Sequence, residues 1–312
     1  MAKNDETGDS RIAPTGLCNH INQNSTYQQP HHTRFNTKGD ARKLKIGIFD
    51  SGIGGLSVLY ELSSRLPDAE FIYFADSENA PYGEKRADEI LALTERAVNE
   101  LRQKGAGAVV LACNTATAAA AKFLRARYPD IRIFGMEPAV NEAAKKVKEG
   151  RILATATPLT LGGEKYHALL GKTGAEERTV SLPLPRLVRL AEAELFGNSS
   201  PTASGADEYI EKMLASIDCP TAEISAIVLG CTHFTYFADS FRRLLPDRPI
   251  YNGVSGTASH VINTLGLESS PHRPTAEDVL SRTEILISGK RADKDALRGV
   301  GNCLSLLSKM TF

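Results

Sequence analysis

The stretch Ala108-Val109-Val110-Leu111-Ala112-Cys113-Asn114-Thr115 is echoed later in the chain by Ala226-Ile227-Val228-Leu229-Gly230-Cys231-Thr232-His233. Each begins as a short apolar, β-branched run, the pattern of a parallel strand buried on both faces. Each then passes through one small residue to a cysteine followed by hydrogen-bonding side chains. Open α/β sheets bind ligands outside the carboxyl ends of their strands, so the repeat predicts two thiols delivered to equivalent strand ends. A free cysteine is more often a buried core residue. That reading gives the polar Asn114, Thr115, Thr232 and His233 nothing to do, and the site reading is preferred.

Upstream of the first cysteine, Lys45-Ile46-Gly47-Ile48-Phe49-Asp50 reads as a strand running into the turn Ser51-Gly52-Ile53-Gly54-Gly55 and a helix to about Arg65. The glycines let backbone amides approach a ligand at a helix N-terminus, which suits a carboxylate or phosphate. Ser57 stands where a dinucleotide fingerprint would have its third glycine, so no nicotinamide site is implied. Asp50 is expected either to cap the helix or to handle a proton. A second strand, Glu70 to Asp76, precedes the loop Asn79-Ala80-Pro81-Tyr82-Gly83-Glu84, whose Pro and Gly are expected to turn Tyr82 outward. A helix over about 86–104 leads into the first cysteine strand, and another over 115–127 leads to the strand Ile131–Gly135.

The second half opens the same way: a helix over 139–149, the strand Arg151–Ala156, the hydroxyl-rich turn Thr157-Pro158-Leu159-Thr160 and a further helix. The halves read as divergent copies of one α/β unit. The expected fold is α/β, two pseudo-symmetric domains with mainly parallel sheets and the active site in the cleft between them. The expected boundaries are 44–138 plus 252–312 for one domain and 139–251 for the other. Residues 1–43 are poor in aliphatics and read as a disordered extension, in which His31-His32 lacks the further ligands a metal site needs.

Composition narrows the function. With 312 residues and 42% hydrophobic content the chain has material for two cores. Lys plus Arg and Asp plus Glu both number 37, so no net field favours nucleic acid or an anionic membrane. Nothing resembles a membrane span or a signal peptide, and a cytoplasmic location is expected. The five cysteines are odd in number and form no CxxC pair, which favours reduced thiols over disulfides or zinc. Cys18 and Cys303 have polar sequence neighbours and Cys219 precedes Pro220, so these three are expected to be incidental.

Two thiols on related halves facing one cleft is what two-base racemisation needs. One thiolate takes the α proton from one face while the other thiol protonates the opposite face. A thiol needs help to ionise, and Asp50 is placed to assist Cys113 as His233 is to assist Cys231. Ser51, Asn114, Thr115, Thr232 and the turn amides are donors of the kind that would stabilise the carbanion.

Phe49-Asp50-Ser51-Gly52-Ile53-Gly54-Gly55-Leu56-Ser57, Pro81-Tyr82-Gly83-Glu84, Ala112-Cys113-Asn114-Thr115-Ala116-Thr117 and Gly230-Cys231-Thr232-His233 resemble the signature stretches of the glutamate racemases, within the cofactor-independent aspartate/glutamate racemase family. The resemblance covers roughly residues 45 to 267. It implies interconversion of L- and D-glutamate without pyridoxal phosphate or metal, supplying D-glutamate for peptidoglycan and so for cell-wall biogenesis and cell shape, by a homodimer. It assigns Cys231 to L-glutamate and Cys113 to D-glutamate, with Asp50 and His233 assisting. Substrate would be held by Asp50, Ser51, Pro81, Tyr82, Gly83, Asn114, Thr115, Thr232 and His233. A second acidic helper maps to Glu192, and a threonine turn to Thr157 and Thr160 in preference to Thr155. The sequence departs from the family pattern at Leu184, Arg189 and Asn252.

Three other readings compete. An aspartate racemase of the same family differs by one methylene of substrate, worth about 1–3 kcal/mol. A Cys231-His233 amidohydrolase leaves Cys113 idle. A non-catalytic amino-acid-binding protein would keep the donors without needing either thiol.

Overall fold

The computed structural model describes residues 44–195 and 203–310. Its strands, in chain order, are β1 (Lys45–Asp50), β2 (Glu70–Ala75), β3 (Ala106–Leu111), β4 (Arg132–Gly135), β5 (Arg151–Ala156), β6 (Thr179–Pro183), β7 (Ile224–Leu229), β8 (Ile250–Asn252), β9 (Thr283–Ile287) and β10 (Lys290–Arg291). They form a six-stranded sheet in the order β10-β9-β2-β1-β3-β4 and a four-stranded sheet in the order β6-β5-β7-β8. Every neighbouring pair is parallel except β10 on β9. The fold is therefore α/β with mainly parallel sheets.

The order β2-β1-β3-β4 recurs as β6-β5-β7-β8. The β1–β3 and β5–β7 ladders even slip at matching places, between Lys45 and Ile46 and between Arg151 and Ile152. The strands alternate between cores, as side chains at period two must. Ile46, Ile48, Ala108 and Val110 enter one apolar cluster, while Phe49, Val109 and Leu111 enter another. In the second sheet Leu153, Ile227 and Leu229 join the first of these clusters, and Ile152, Ala154, Ala226 and Val228 face a third. One core is thus shared by a face of each sheet, and each sheet is covered on its far side by its own helices.

Helices supply the crossovers that parallel strands require. In helix Ala87–Gln103 the buried positions are Ile90, Thr94, Ala97, Val98 and Leu101, the spacing of an amphipathic stripe. No helix among the described residues is long and apolar enough to cross a membrane.

Three details differ from expectation. Strand β6 is hidden in the sequence because Pro183 and Pro185 signal a loop. It pairs with β5 alone and lies at the sheet edge, where a proline is tolerated. The turn after β5 is a short helix, Pro158–Leu161, because Thr157 caps it through the Thr160 amide and Pro158 fits its first turn. Cys303 is buried, with the Tyr236 hydroxyl as its polar neighbour. It is 1% exposed on the apolar face of helix Lys294–Leu307, beside Val300, Leu304 and Leu307, since its polar sequence neighbours point the other way. The expectations for residues 1–43, including Cys18 and His31-His32, lie outside the described residues.

Candidate active site

Cys113 stands two residues past the end of β3 and caps helix Asn114–Arg127, its sulfur accepting the Ala116 amide proton at 3.4 Å. Burial pushes its thiol up to about 12, the Asp50 charge adding to this while the Ala116 amide and the Ser51 hydroxyl oppose it. At neutral pH Cys113 is a protonated acid. Asp50 ends the adjacent strand β1 and is fully buried. One carboxylate oxygen accepts from the Gly52 amide at 2.9 Å and the other from the Thr232 hydroxyl at 3.1 Å. Burial raises its carboxyl to about 6; the nearby His233 and the two hydrogen bonds pull against that, and Glu192 adds to it. Asp50 does not cap the helix: Gly55 holds that position, with no side-chain cap.

Cys231 occupies the equivalent place two residues past β7, partly exposed, with its sulfur 3.7 Å from His233 Nδ1. His233 Nε2 lies 2.7 Å from Glu192 Oε1. Burial alone would discharge the imidazole, but the hydrogen bonds and charges of Cys231 and Glu192 outweigh it and hold its pKa well above the usual range. A raised pKa makes His233 a stronger base than a free imidazole, placed to exchange a proton with the Cys231 sulfur. Glu192 comes from a single π-helical turn, Ala191–Leu195, following helix Pro185–Leu190. Such turns recur at functional sites because they re-aim one side chain.

The glycine turn binds carboxylates, but the chain's own. The Gly52 amide goes to Asp50 and the Ile53 amide to Glu192 at 2.7 Å, so neither is presented to a ligand as expected. Gly52 is required here for space, because a Cβ would run into the Glu192 carboxylate. The turn therefore serves as the seat on which both acidic helpers are fixed.

Asn114, Thr115, Thr157 and Thr160 form the polar wall. The three threonine hydroxyls lie within 3.0–3.1 Å of one another, Thr115 from the first sheet and the other two from the second. Thr155 is instead absorbed by the sheet, donating to the Val228 carbonyl at 3.0 Å. Asn114 Oδ1 is buried with no hydrogen-bond partner among the described residues. A buried acceptor left open costs about 1–3 kcal/mol, which makes it a waiting partner for a ligand donor such as an ammonium group.

Tyr82 is not turned outward. It is 1% exposed, packed on Phe49, and its hydroxyl donates to Asp76 Oδ2 at 2.7 Å. Burial and the Asp76 charge raise its phenol pKa. The buried Asp76 also accepts from Asn79 at 3.0 and 3.1 Å and faces Arg96 at 3.5 Å. This network fixes the Pro81-Tyr82-Gly83 backbone against the second sheet, where a Cβ on Gly83 would meet Thr157 at 2.7 Å. Tyr82→Phe is expected to lower stability by about 1.5–3 kcal/mol, the range for a hydrogen bond to a charged group, and to raise KM as the loop loosens. Urea unfolding and initial-rate kinetics check both.

The departures noted in the sequence have structural roles. Leu184 is fully buried core. Asn252 accepts the Val254 amide at 3.0 Å, opening helix Val254–Leu265 as a carboxylate would. Arg189 pairs in bidentate fashion with Glu84, at 3.2 and 2.5 Å. The pair is exposed and contributes about 0–1 kcal/mol.

Asp76, Val188, Tyr73 and Tyr236 belong to the site or its support without having been expected from the sequence. Asp76 had a signal, since it follows β2 as Asp50 ends β1, and the two strands pair in register. Val188 had none, being one of several apolar residues interleaved with arginines in its helix.

Ser51, Pro81, Tyr82, Gly83, Cys113, Asn114, Thr115, Thr157, Val188, Gly230, Cys231 and His233 line one narrow cavity. Asp50, Glu192, Thr160 and Thr232 stand behind them. Both cysteines thus line the same space. A family model described as Asp/Glu/Hydantoin racemase matches residues 57–261. A glutamate racemase of Campylobacter curvus is 42% identical over 276 residues, covering 86% of this chain and 98% of the relative. The Escherichia coli glutamate racemase solved with L-glutamate and the activator UDP-MurNAc-Ala superposes with a TM-score of 0.67 at 27% identity, over 80% of this chain and 98% of that one. The Campylobacter jejuni glutamate racemase gives 0.63 at 27% identity, over 86% and 100%.

Proposed function

Because the chain belongs to the Asp/Glu/hydantoin racemase family, we propose that it interconverts L- and D-glutamate by a two-thiol proton transfer at the α carbon. The observation that carries this is the shared cavity. Two cysteines from equivalent strand ends of two sheets line it, Cys231 with His233 at 3.7 Å and Cys113 within reach of the Asp50 charge. Glutamate, rather than aspartate, is favoured by the relatives, which are named glutamate racemases.

The resting protonation suits the L-to-D direction. His233, held by Glu192, is placed to exchange a proton with the Cys231 sulfur, while buried Cys113 keeps its own proton. The Cys231 thiolate removes the α proton of L-glutamate, and the C–H electron pair passes into the carboxylate as an enediolate. The Cys113 S–H bond then breaks and its proton is added to the opposite face, giving D-glutamate, a Cys231 thiol and a Cys113 thiolate. Proton exchange through His233 and Asp50 restores the starting state. The open acceptor of Asn114 takes the substrate ammonium, and the threonine hydroxyls donate to a carboxylate. The scheme draws on no pyridoxal phosphate and no metal.

On this reading the product feeds peptidoglycan synthesis, the protein works in the cytoplasm and two copies form the enzyme. Those three points rest on kinship. The purified protein incubated with L-glutamate in deuterated water is expected to form D-glutamate carrying one solvent deuterium at the α carbon, without added cofactor. Product that retains the substrate hydrogen would rule out exchange through thiols, and faster turnover of L-aspartate would reassign the substrate.

A further inference from the structure

Two phenols support the glycine turn from beneath, and the racemisation scheme uses neither. Tyr73, on β2, is fully buried and donates to the Gly52 carbonyl at 2.6 Å. Tyr236, 6% exposed in the turn after Cys231, donates to the Ile53 carbonyl at 2.9 Å. The Gly52 carbonyl and the Ile53 amide belong to one peptide unit. That amide holds Glu192 at 2.7 Å, Glu192 holds His233 at 2.7 Å, and His233 faces the Cys231 sulfur at 3.7 Å.

We propose that Tyr73 and Tyr236 are positioning residues for the Cys231 half of the reaction, acting through the Gly52–Ile53 peptide on Glu192. The proposal rests on the racemase reading above and extends it to residues that touch no substrate. A peptide flanked by glycine rotates easily, and two hydroxyls pin it on both sides of Ile53. A hydrogen bond accepted at the carbonyl also polarises the amide of the same unit and strengthens its bond to the carboxylate. Little slack is left, since the Glu192 carboxylate rests directly against the Cα of Gly52. Movement of the turn must therefore move Glu192 and the imidazole that it orients. Burial, together with the Asp50 and Glu192 charges and, for Tyr236, the neighbouring Cys303, raises both phenols well above their usual range and so keeps them donors.

Phe at either position would fill the same space, so what is tested is the hydroxyl. A merely structural hydroxyl, present to satisfy a buried carbonyl, would cost the same in any background. A hydroxyl that works through Glu192 would not. Tyr73→Phe is expected to lower kcat roughly tenfold in the native chain and less than about twofold in a Glu192→Gln background, the non-additivity of residues sharing one network. KM should change little. In the native chain the pH profile of kcat should also shift, because the His233–Glu192 contact is disturbed. Equal losses in the two backgrounds, or an unchanged kcat, would overturn the proposal. If Tyr73→Phe does not fold, Tyr236→Phe in the same two backgrounds decides. A Glu192→Gln enzyme with native kcat would remove Glu192 from the mechanism and take the proposal with it. Low activity in Glu192→Gln with additive losses would sink the tyrosines alone.

Discussion

Cys113→Ala and Cys231→Ala are each expected to lower kcat/KM by at least about 10³-fold in both directions, within the range for loss of a positioned acid or base. Both directions must suffer equally. L- and D-glutamate are mirror images of equal free energy, so their interconversion has an equilibrium constant of one that no mutation can alter. What the two variants should not share is exchange. With Cys231 intact, Cys113→Ala can still take the α proton of L-glutamate and return a solvent proton to the same face. With Cys113 intact, Cys231→Ala can do the same only for D-glutamate. Proton NMR in deuterated water reads this as loss of the α signal from one enantiomer without inversion. The fold should survive, because each change removes one sulfur atom from a site otherwise held by hydrogen bonds. Either variant racemising at the native rate, or each exchanging both enantiomers, would end the two-thiol scheme.

The parts of this site that could be read in the sequence are those fixed by strand geometry. A buried parallel strand is legible as an unbroken apolar run, and the residues next in the chain must lie at the sheet's carboxyl edge. Asp50, Cys113, Cys231 and His233 were therefore locatable from order alone. Glu192 was not, because its position depends on a π-helical turn that no local pattern announces. It entered only through resemblance. Tyr82 was misread because turn chemistry sets the path of the backbone but not the fate of the side chain. A buried carboxylate six residues earlier, Asp76, draws that phenol inward. The glycine turn was misread for a related reason. Amides at the start of a helix do attract carboxylates, and sequence gives no means of knowing that the chain's own Asp50 and Glu192 arrive first. Cys303 illustrates the same gap: polar neighbours along the chain are uninformative on a helix, where residues three and four apart share a face.

Asp50→Asn should separate stability from activity in opposite directions. The carboxyl of Asp50 is raised, chiefly by burial, from an ordinary 3.8 to about 6. An acid whose folded pKa exceeds its unfolded one favours the native state where it is protonated. That contribution is complete below the unfolded value and is lost as pH rises through about 6. A pKa difference of about 2 corresponds to about 3 kcal/mol, so the ionised carboxylate costs the fold roughly that much at neutral pH. Asparagine keeps the shape and the bonds. Its oxygen accepts from Gly52, and its amide donates to the Thr232 hydroxyl, which reverses its role. Below about pH 4 the variant and the native chain should unfold at the same urea concentration. The variant should become the more stable by up to about 3 kcal/mol above pH 6. Its activity should fall by about 10²-fold or more, because Cys113 has lost the group that accepts its proton. In the native enzyme kcat/KM should decline as pH drops through about 6, where Asp50 protonates, and that acid limb should be missing from Asp50→Asn. A stability difference that is independent of pH would show that Asp50 is not charged at a cost in the folded protein. An acid limb that persists in the variant would assign the limb to another group. The expected combination, a more stable and nearly inactive protein, is what a catalytic carboxylate kept dry against its own solvation should produce.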